Sequence, residues 1–237
     1  MIEKLPKIKW DPVVDDRPNT SSPRIKFSQE FTKENLKESN GNVLDLGCGT
    51  GSYTYIVDRD GCIGIDLDIN ALKIAKKYCK RSEFIVSSAF NLPFRDEIFD
   101  VIFMWEVFEE IPMEAEILVM YEIRRLLLKN GYFFLSFSND HIISNMLDPA
   151  FIFRGFRHYN TDKFLKLISE TGLSVTSHTI RGFLYTLISN FLVFFYKHIL
   201  HKKEGKTKEF FDNKSAEELK KRDNGIVYTF IIAKKEK

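Results

Sequence analysis

Residues 43–51 read Val43-Leu44-Asp45-Leu46-Gly47-Cys48-Gly49-Thr50-Gly51. A short apolar run with strand-forming residues leads into three glycines at alternate positions, and a helix-like segment follows. Open α/β sheets bind ligands at such strand ends, because a turn without side chains lets a ligand approach the backbone. The spacing selects among ligands. A dinucleotide turn needs glycine at position 52, where Ser52 stands, which makes a nicotinamide cofactor the runner-up. A Walker-type phosphate loop would close on Lys-Ser or Lys-Thr, and neither follows.

Outward from this turn, apolar runs of strand length alternate with helix-length stretches, the βαβ pattern of a parallel sheet with helices on both faces. The expected strands are 43–46, 62–66, 83–86, 100–105, 131–137, 173–180 and 225–233. Helices are expected over 27–39, 71–80, 115–129 and 161–171. In the third, Leu118, Tyr121 and Leu126 recur at helical spacing against Glu116, Glu122 and Arg124. Thr161 reads as an N-cap and Gly172 as a stop. Residues 1–26, with Pro6, Pro12, Pro18 and Pro23, read as an arm with little structure of its own, and 27–237 as a single domain.

The chain has 237 residues, 44% of them apolar, enough for one domain with a full core and too apolar for a disordered chain. The net charge of +2 lacks the excess that would make nucleic acid the default partner. Cys48, Cys62 and Cys79 are odd in number and spaced like neither a disulfide framework nor paired zinc ligands, so no metal site is expected and a cytoplasmic, reducing compartment is the simpler reading. Residues 182–196, GFLYTLISNFLVFFY, are uncharged. About 15 residues at 1.5 Å rise fall short of the roughly 30 Å hydrocarbon core. With Lys197, Lys202, Lys203, Lys206 and Lys208 following, the segment is either a buried helix before a basic loop or a helix lying at a membrane interface, with peripheral contact through 182–208.

The glycine-rich stretch resembles the first motif of class I S-adenosylmethionine-dependent methyltransferases, an acidic residue followed by x-G-x-G-x-G, met here by Asp45, Gly47, Gly49 and Gly51. Further stretches follow in register: Gly64-Ile65-Asp66-Leu67-Asp68, then Ser87-Ser88-Ala89-Phe90-Asn91-Leu92-Pro93-Phe94 with Phe99-Asp100-Val101-Ile102, then Glu106-Val107-Phe108-Glu109-Glu110-Ile111, then Ile123-Arg124-Arg125-Leu126-Leu127-Leu128-Lys129-Asn130-Gly131-Tyr132. The resemblance covers 41–138 well and 155–180 loosely. Two positions depart from it: Ser88 stands where Asp is common, and Glu110 where His is common.

The resemblance implies a Rossmann-like three-layer α/β sandwich of seven mostly parallel strands, the last antiparallel. It also implies S-adenosylmethionine as cofactor. Asp45, Gly47, Cys48, Gly49 and Gly51 would cradle its methionine part, Asp66 would bond both ribose hydroxyls, Leu67, Ser88 and Ala89 would line the adenine, and Met104 and Trp105 would face the methyl region. Without the glycines, Asp66 would read equally well as a helix cap, and Glu106, Glu109 and Glu110 read also as an acidic helix start. Candidate proton acceptors are Glu106, His141 and His158, although a lone histidine is commonly a surface or packed residue. The connections 139–160 and 181–224, apolar with cationic edges, would form the acceptor side and suit a small hydrophobic or amphiphilic, even lipid-like, molecule. A protein or nucleic-acid methyltransferase, and a non-catalytic interaction protein on the same scaffold, are the alternatives.

Overall fold

A computed structural model describes residues 22–36, 41–201, 205–221 and 225–236, without the side chains of 154, 197 and 198. Seven strands form one sheet: β1 (Val43–Leu46), β2 (Cys62–Asp66), β3 (Glu83–Val86), β4 (Phe99–Trp105), β5 (Leu127–Ser138), β6 (Leu173–Arg181) and β7 (Tyr228–Lys235). Their order is β3-β2-β1-β4-β5-β7-β6. β7 runs antiparallel to both neighbours and the remaining pairings are parallel, the arrangement the resemblance implies. The chain steps outward from β1 to β3 and then returns to β4, so a crevice opens between the C-terminal ends of β1 and β4, where ligands bind in open α/β sheets.

The helices are α1 (Pro23–Asn35), α2 (Ile69–Tyr78), α3 (Glu116–Leu126), α4 (Ile142–Leu147), α5 (Pro149–Arg154), α6 (Thr161–Glu170), α7 (Leu184–Phe194) and α8 (Lys206–Lys220). Alternation along the strands divides the core into two layers. One holds Leu44, Leu46, Ile102, Met104, Phe133 and Leu135 against α3 and α6. The other holds Val43, Val101, Phe103, Trp105, Phe134 and Phe230, with Phe27 and Phe31 of α1 packed on it.

Several boundaries differ from the sequence reading. α1 starts at Pro23, within the stretch read as an arm, because proline at the first helical position costs no hydrogen bond and presets the backbone angle. Residues 1–21 of that arm lie outside the described residues. α3 stops at Leu126 rather than Lys129, since Leu127 already pairs with Phe99 in the sheet. The N-cap of α6 is Asn160, whose side chain accepts from the Lys163 amide, and Thr161 instead bonds Asn139 and Thr229 in the interior. Gly172, at φ +80°, ends α6 as expected.

The 182–196 run becomes α7, continued by a wide turn over Phe195–Ile199. It buries Thr186, Leu187 and Ser189, and leaves Leu184, Tyr185 and Phe191 substantially exposed. Among the described residues no helix is long and apolar enough to cross a membrane.

Candidate functional site: a glycine turn beside two strand-end carboxylates

The turn after β1 is tied to β2, since the Gly47 and Cys48 amides both donate to the Ile65 carbonyl, at 2.8 and 2.9 Å. Gly47, Gly49 and Gly51 all have positive φ, and their surroundings separate their roles. A Cβ at Gly47 would lie 2.4 Å from the Val107 side chain, and one at Gly51 would lie 2.9 Å from Ala75. At Gly49 a Cβ would meet nothing within 4 Å. Packing therefore demands the outer two glycines, and the middle one presents bare backbone to open space. The buried Cys48 thiol is pushed well above its ordinary value by loss of solvent, so it is not a nucleophile.

Asp66 ends β2 beside this turn. One carboxylate oxygen accepts from the Gly49 amide and the other from the Asp68 amide, each at 2.8 Å. Asp66 thus joins the glycine turn to the start of α2, which Asp68 caps through Asn70. Each oxygen retains a second lone pair for a hydroxyl donor. Leu67, next in sequence, is 71% exposed, an apolar face next to a carboxylate. Ser88 lies beyond β3, and its hydroxyl is buried with no hydrogen-bond partner. Ala89 packs against the core beside it.

Asp45 is buried on β1, and Thr54 donates to it at 2.6 Å. Burial, opposed by the Thr54 hydrogen bonds, pushes its carboxyl up to about 7. It braces the segment after the glycine turn from below.

Met104 and Trp105 do not share a surface as the sequence reading expects. Successive strand side chains point to opposite faces. Met104 enters the α3 layer, while Trp105 packs against Phe31, Tyr53, Phe134 and Phe230 under α1.

Glu106 follows at the end of β4 with φ +60°, a strained conformation for a side chain of this size. It forms an ion pair with Arg24 of α1 at 2.5 Å. Its other oxygen is buried without a partner. Burial raises this carboxyl to about 7 against the opposing pull of Arg24. Glu109 is not part of an exposed acidic helix start: it is buried, and one oxygen accepts from the Ser138 amide at 2.7 Å.

The two histidines sit elsewhere, in the 139–160 connection. His141 caps α4, accepting from the Ile143 amide. His158 is almost fully enclosed, one ring nitrogen 2.6 Å from Asn145 and the other 3.0 Å from Asp148. It ties α4 and α5 to β5's outgoing chain, with both nitrogens engaged. Arg24, Tyr228 and Asn190 were not visible in the sequence as site residues, since no local pattern marks a contact between segments so far apart.

Residues 44–135 match the family model of the methyltransferase domain. Over those residues the chain is similar to methyltransferase domains. The chain is 30% identical over 153 residues to the ubiquinone biosynthesis O-methyltransferase of Pasteurella multocida, covering 58% of this chain and 62% of that protein. It is 38% identical over 93 residues to the demethylmenaquinone methyltransferase of Thermotoga maritima, covering 38% and 40%. The chain thus spans less than two thirds of the length of the curated relatives it matches.

The structure resembles that of geranyl diphosphate C-methyltransferase from Streptomyces coelicolor, solved with Mg2+, geranyl diphosphate and S-adenosyl-L-homocysteine. The TM-score is 0.62 at 13% identity over 89% of this chain and 77% of that one. In this chain, the open side of Gly49, the free lone pairs of Asp66, exposed Leu67 and the unpartnered Ser88 hydroxyl fit an adenosyl group. Gly47 and Gly49 would border its methionine part.

Proposed function

We propose that the protein transfers a methyl group from S-adenosylmethionine to a small hydrophobic or amphiphilic acceptor. The carrying observation is the Asp66 carboxylate, held by the Gly49 amide at the one glycine whose side is open. There it can accept hydrogen bonds from a pair of ribose hydroxyls while Leu67 covers an adenine face. Ser88 and Ala89 would line the ring's edge, and Asp45 would act through the Thr54 segment on the shape of the turn.

The bound cofactor supplies an activated methyl group on a positive sulfur. The chain must hold the acceptor in line and exclude water, which can lower the barrier by several kcal/mol. It must also take a proton from acceptors that carry one. Glu106 suits that step better than His141 or His158. It lies next to Val107, whose methyls fill the space a Cβ at Gly47 would need, whereas both histidines serve α4 and α5.

The acceptor side supports the apolar reading. α4, α5 and α7 meet there, with the Phe153 and Phe194 rings stacked at 5.4 Å. Ile142, Met146, Ile152 and Phe153 are more than half exposed. Relatives named for ubiquinone and demethylmenaquinone methylation agree with an acceptor of this polarity.

Isothermal calorimetry with S-adenosylhomocysteine tests the cofactor half. Asp66→Ala is expected to weaken binding by about 1–3 kcal/mol through loss of charge-assisted hydrogen bonds. Unchanged affinity would remove Asp66 from the site. A screen of quinol-like, phenolic and polyprenyl acceptors for transfer of a labelled methyl group tests the other half, and transfer to polar acceptors alone would refute it.

A further inference from the structure

Glu106 directly follows β4, but its surroundings come from the rest of the chain. α1 brings Arg24, whose guanidinium bonds one Glu106 oxygen at 2.5 Å. The same guanidinium donates to the Tyr228 hydroxyl of β7 at 3.4 Å and lies 5.1 Å from that ring's centroid. Asn190 of α7 donates to the same hydroxyl at 2.5 Å. Arg24 therefore connects α1 with the end of β4 and with β7, and the Tyr228 hydroxyl carries the link on to Asn190 of α7.

α1 is itself fixed relative to the cofactor turn. Gln29 donates its side-chain amide to the Ser52 carbonyl at 2.7 Å, one residue past Gly51. Phe27 lies edge-on to Phe230, with ring centroids 4.9 Å apart, and Phe31 edge-on to Trp105 at 6.0 Å. The position of Arg24 is thus set by the two structures it would have to coordinate, the glycine turn and the end of β4.

Beneath this helix, polar atoms are left without partners. One Glu106 oxygen, the Trp105 indole nitrogen, the Ser136 hydroxyl and one Glu109 oxygen are all buried and unbonded. Trp105 and Ser136 are register partners on β4 and β5. Buried polar atoms without partners are costly, and a group of them at one strand edge is what a polar ligand group would satisfy.

We propose that Arg24 is a positioning residue for methyl transfer: it holds one oxygen of the Glu106 carboxylate, so that the other is presented to the proton of the acceptor. This rests on the reading of the protein as a methyltransferase. The acceptor it implies carries an ionisable O–H or N–H at its polar end. In the step, that proton passes to the unbonded Glu106 oxygen. The freed electron pair of the acceptor atom bonds the methyl carbon of the methylsulfonium donor, whose carbon–sulfur bond breaks with its electrons left on sulfur. Neither a metal nor an oxidant is needed for balance. The charged or titratable groups facing Glu106 are Arg24 from α1, Tyr228 from β7, Tyr53 after β1, and Glu109 from its own turn. Arg24 is the one cation among these groups, so its removal should leave the carboxyl easier to protonate.

The test compares full-length wild type with Arg24→Met, Arg24→Lys and Glu106→Gln. In protein labelled with carbon-13 at glutamate carboxyls, the Glu106 signal is the one lost in Glu106→Gln. Its titration midpoint is expected to rise by about one pH unit or more in Arg24→Met and to stay near wild type in Arg24→Lys. With an acceptor from the transfer screen, Arg24→Met should lower kcat at pH 7 about tenfold or more, leave KM for S-adenosylmethionine within about twofold, and be largely restored by Arg24→Lys. A midpoint unmoved in Arg24→Met overturns the proposal, as does a loss confined to KM for S-adenosylmethionine. S-adenosylhomocysteine calorimetry on wild type keeps the two readings apart: no heat of binding defeats the methyltransferase function, while the titration still decides the Arg24–Glu106 coupling.

Discussion

Gly47 shows how narrowly one position can be constrained. Its φ of +77° disfavours any side chain, and the Val107 methyls occupy the space a Cβ would need. Gly47→Ala is expected to cost about 2–5 kcal/mol, combining left-handed strain of roughly 1–2 with overpacking of roughly 1–3. Adding Val107→Ala should recover only the overpacking part. Urea denaturation of the two singles and the double checks this, and full recovery would show that the backbone angle carries no strain. Asp45 makes a different residue-scale prediction. Its folded carboxyl titrates near 7, well above the unfolded value near 3.8, so the folded state binds the extra proton between those limits. The stability it contributes is complete below the unfolded value and is lost as pH rises through about 7, by up to about 1.4 kcal/mol per pH unit. Asp45→Asn should therefore gain on wild type in melting temperature as pH increases from 5 to 7.5. A difference constant across that range would contradict it.

At the scale of elements, α7 depends on α8 more than on its own sequence. No residue of α7 caps its start. Instead the Glu218 carboxylate of α8 accepts from the amides of Phe183, Tyr185 and Thr186 and from the Thr186 hydroxyl, all within 3.0 Å. Deeper in the same interface, Asp212 accepts from Ser189 and from the buried Lys208. Glu218→Ala removes partners from amides that a helix start cannot satisfy internally, and should destabilise the protein by about 1–3 kcal/mol. Hydrogen exchange should show the protection of α7 falling before that of the sheet, and uniform loss across both would argue against a local cap. α1 is the second element defined by its contacts, since its polar residues give it little amphipathic signal and it is the Phe27 and Phe31 rings that fasten it.

At the scale of the whole molecule, the crossover from β3 back to β4 brings the glycine turn, Asp66 and Glu106 to the C-terminal ends of neighbouring strands, and β5's outgoing chain and the β6–β7 connection carry α4, α5 and α7, which pack on one another. Those helices expose Ile142, Met146, Ile152 and Phe153. They predict binding to a lipid surface through α4 and α5. In vesicle flotation, the wild type should associate with anionic vesicles, and Phe153→Ser with Met146→Ser should reduce the bound fraction several-fold without moving the melting temperature. Equal flotation of wild type and variant would leave these residues without a membrane role.

Much of the scaffold was readable from the chain because its signals are local. Alternation marks strands, glycine at alternate positions marks a turn that side chains cannot enter, and a carboxylate one strand later falls at the same edge because parallel neighbours end together. Asp66 beside Gly49 follows from that logic alone. The lid, the fate of Trp105 and the pairing of Arg24 with Glu106 do not. Each depends on how segments separated by most of the chain settle against one another, and packing of buried rings under α1, rather than any pattern in residues 22–36, decides where that cation comes to rest.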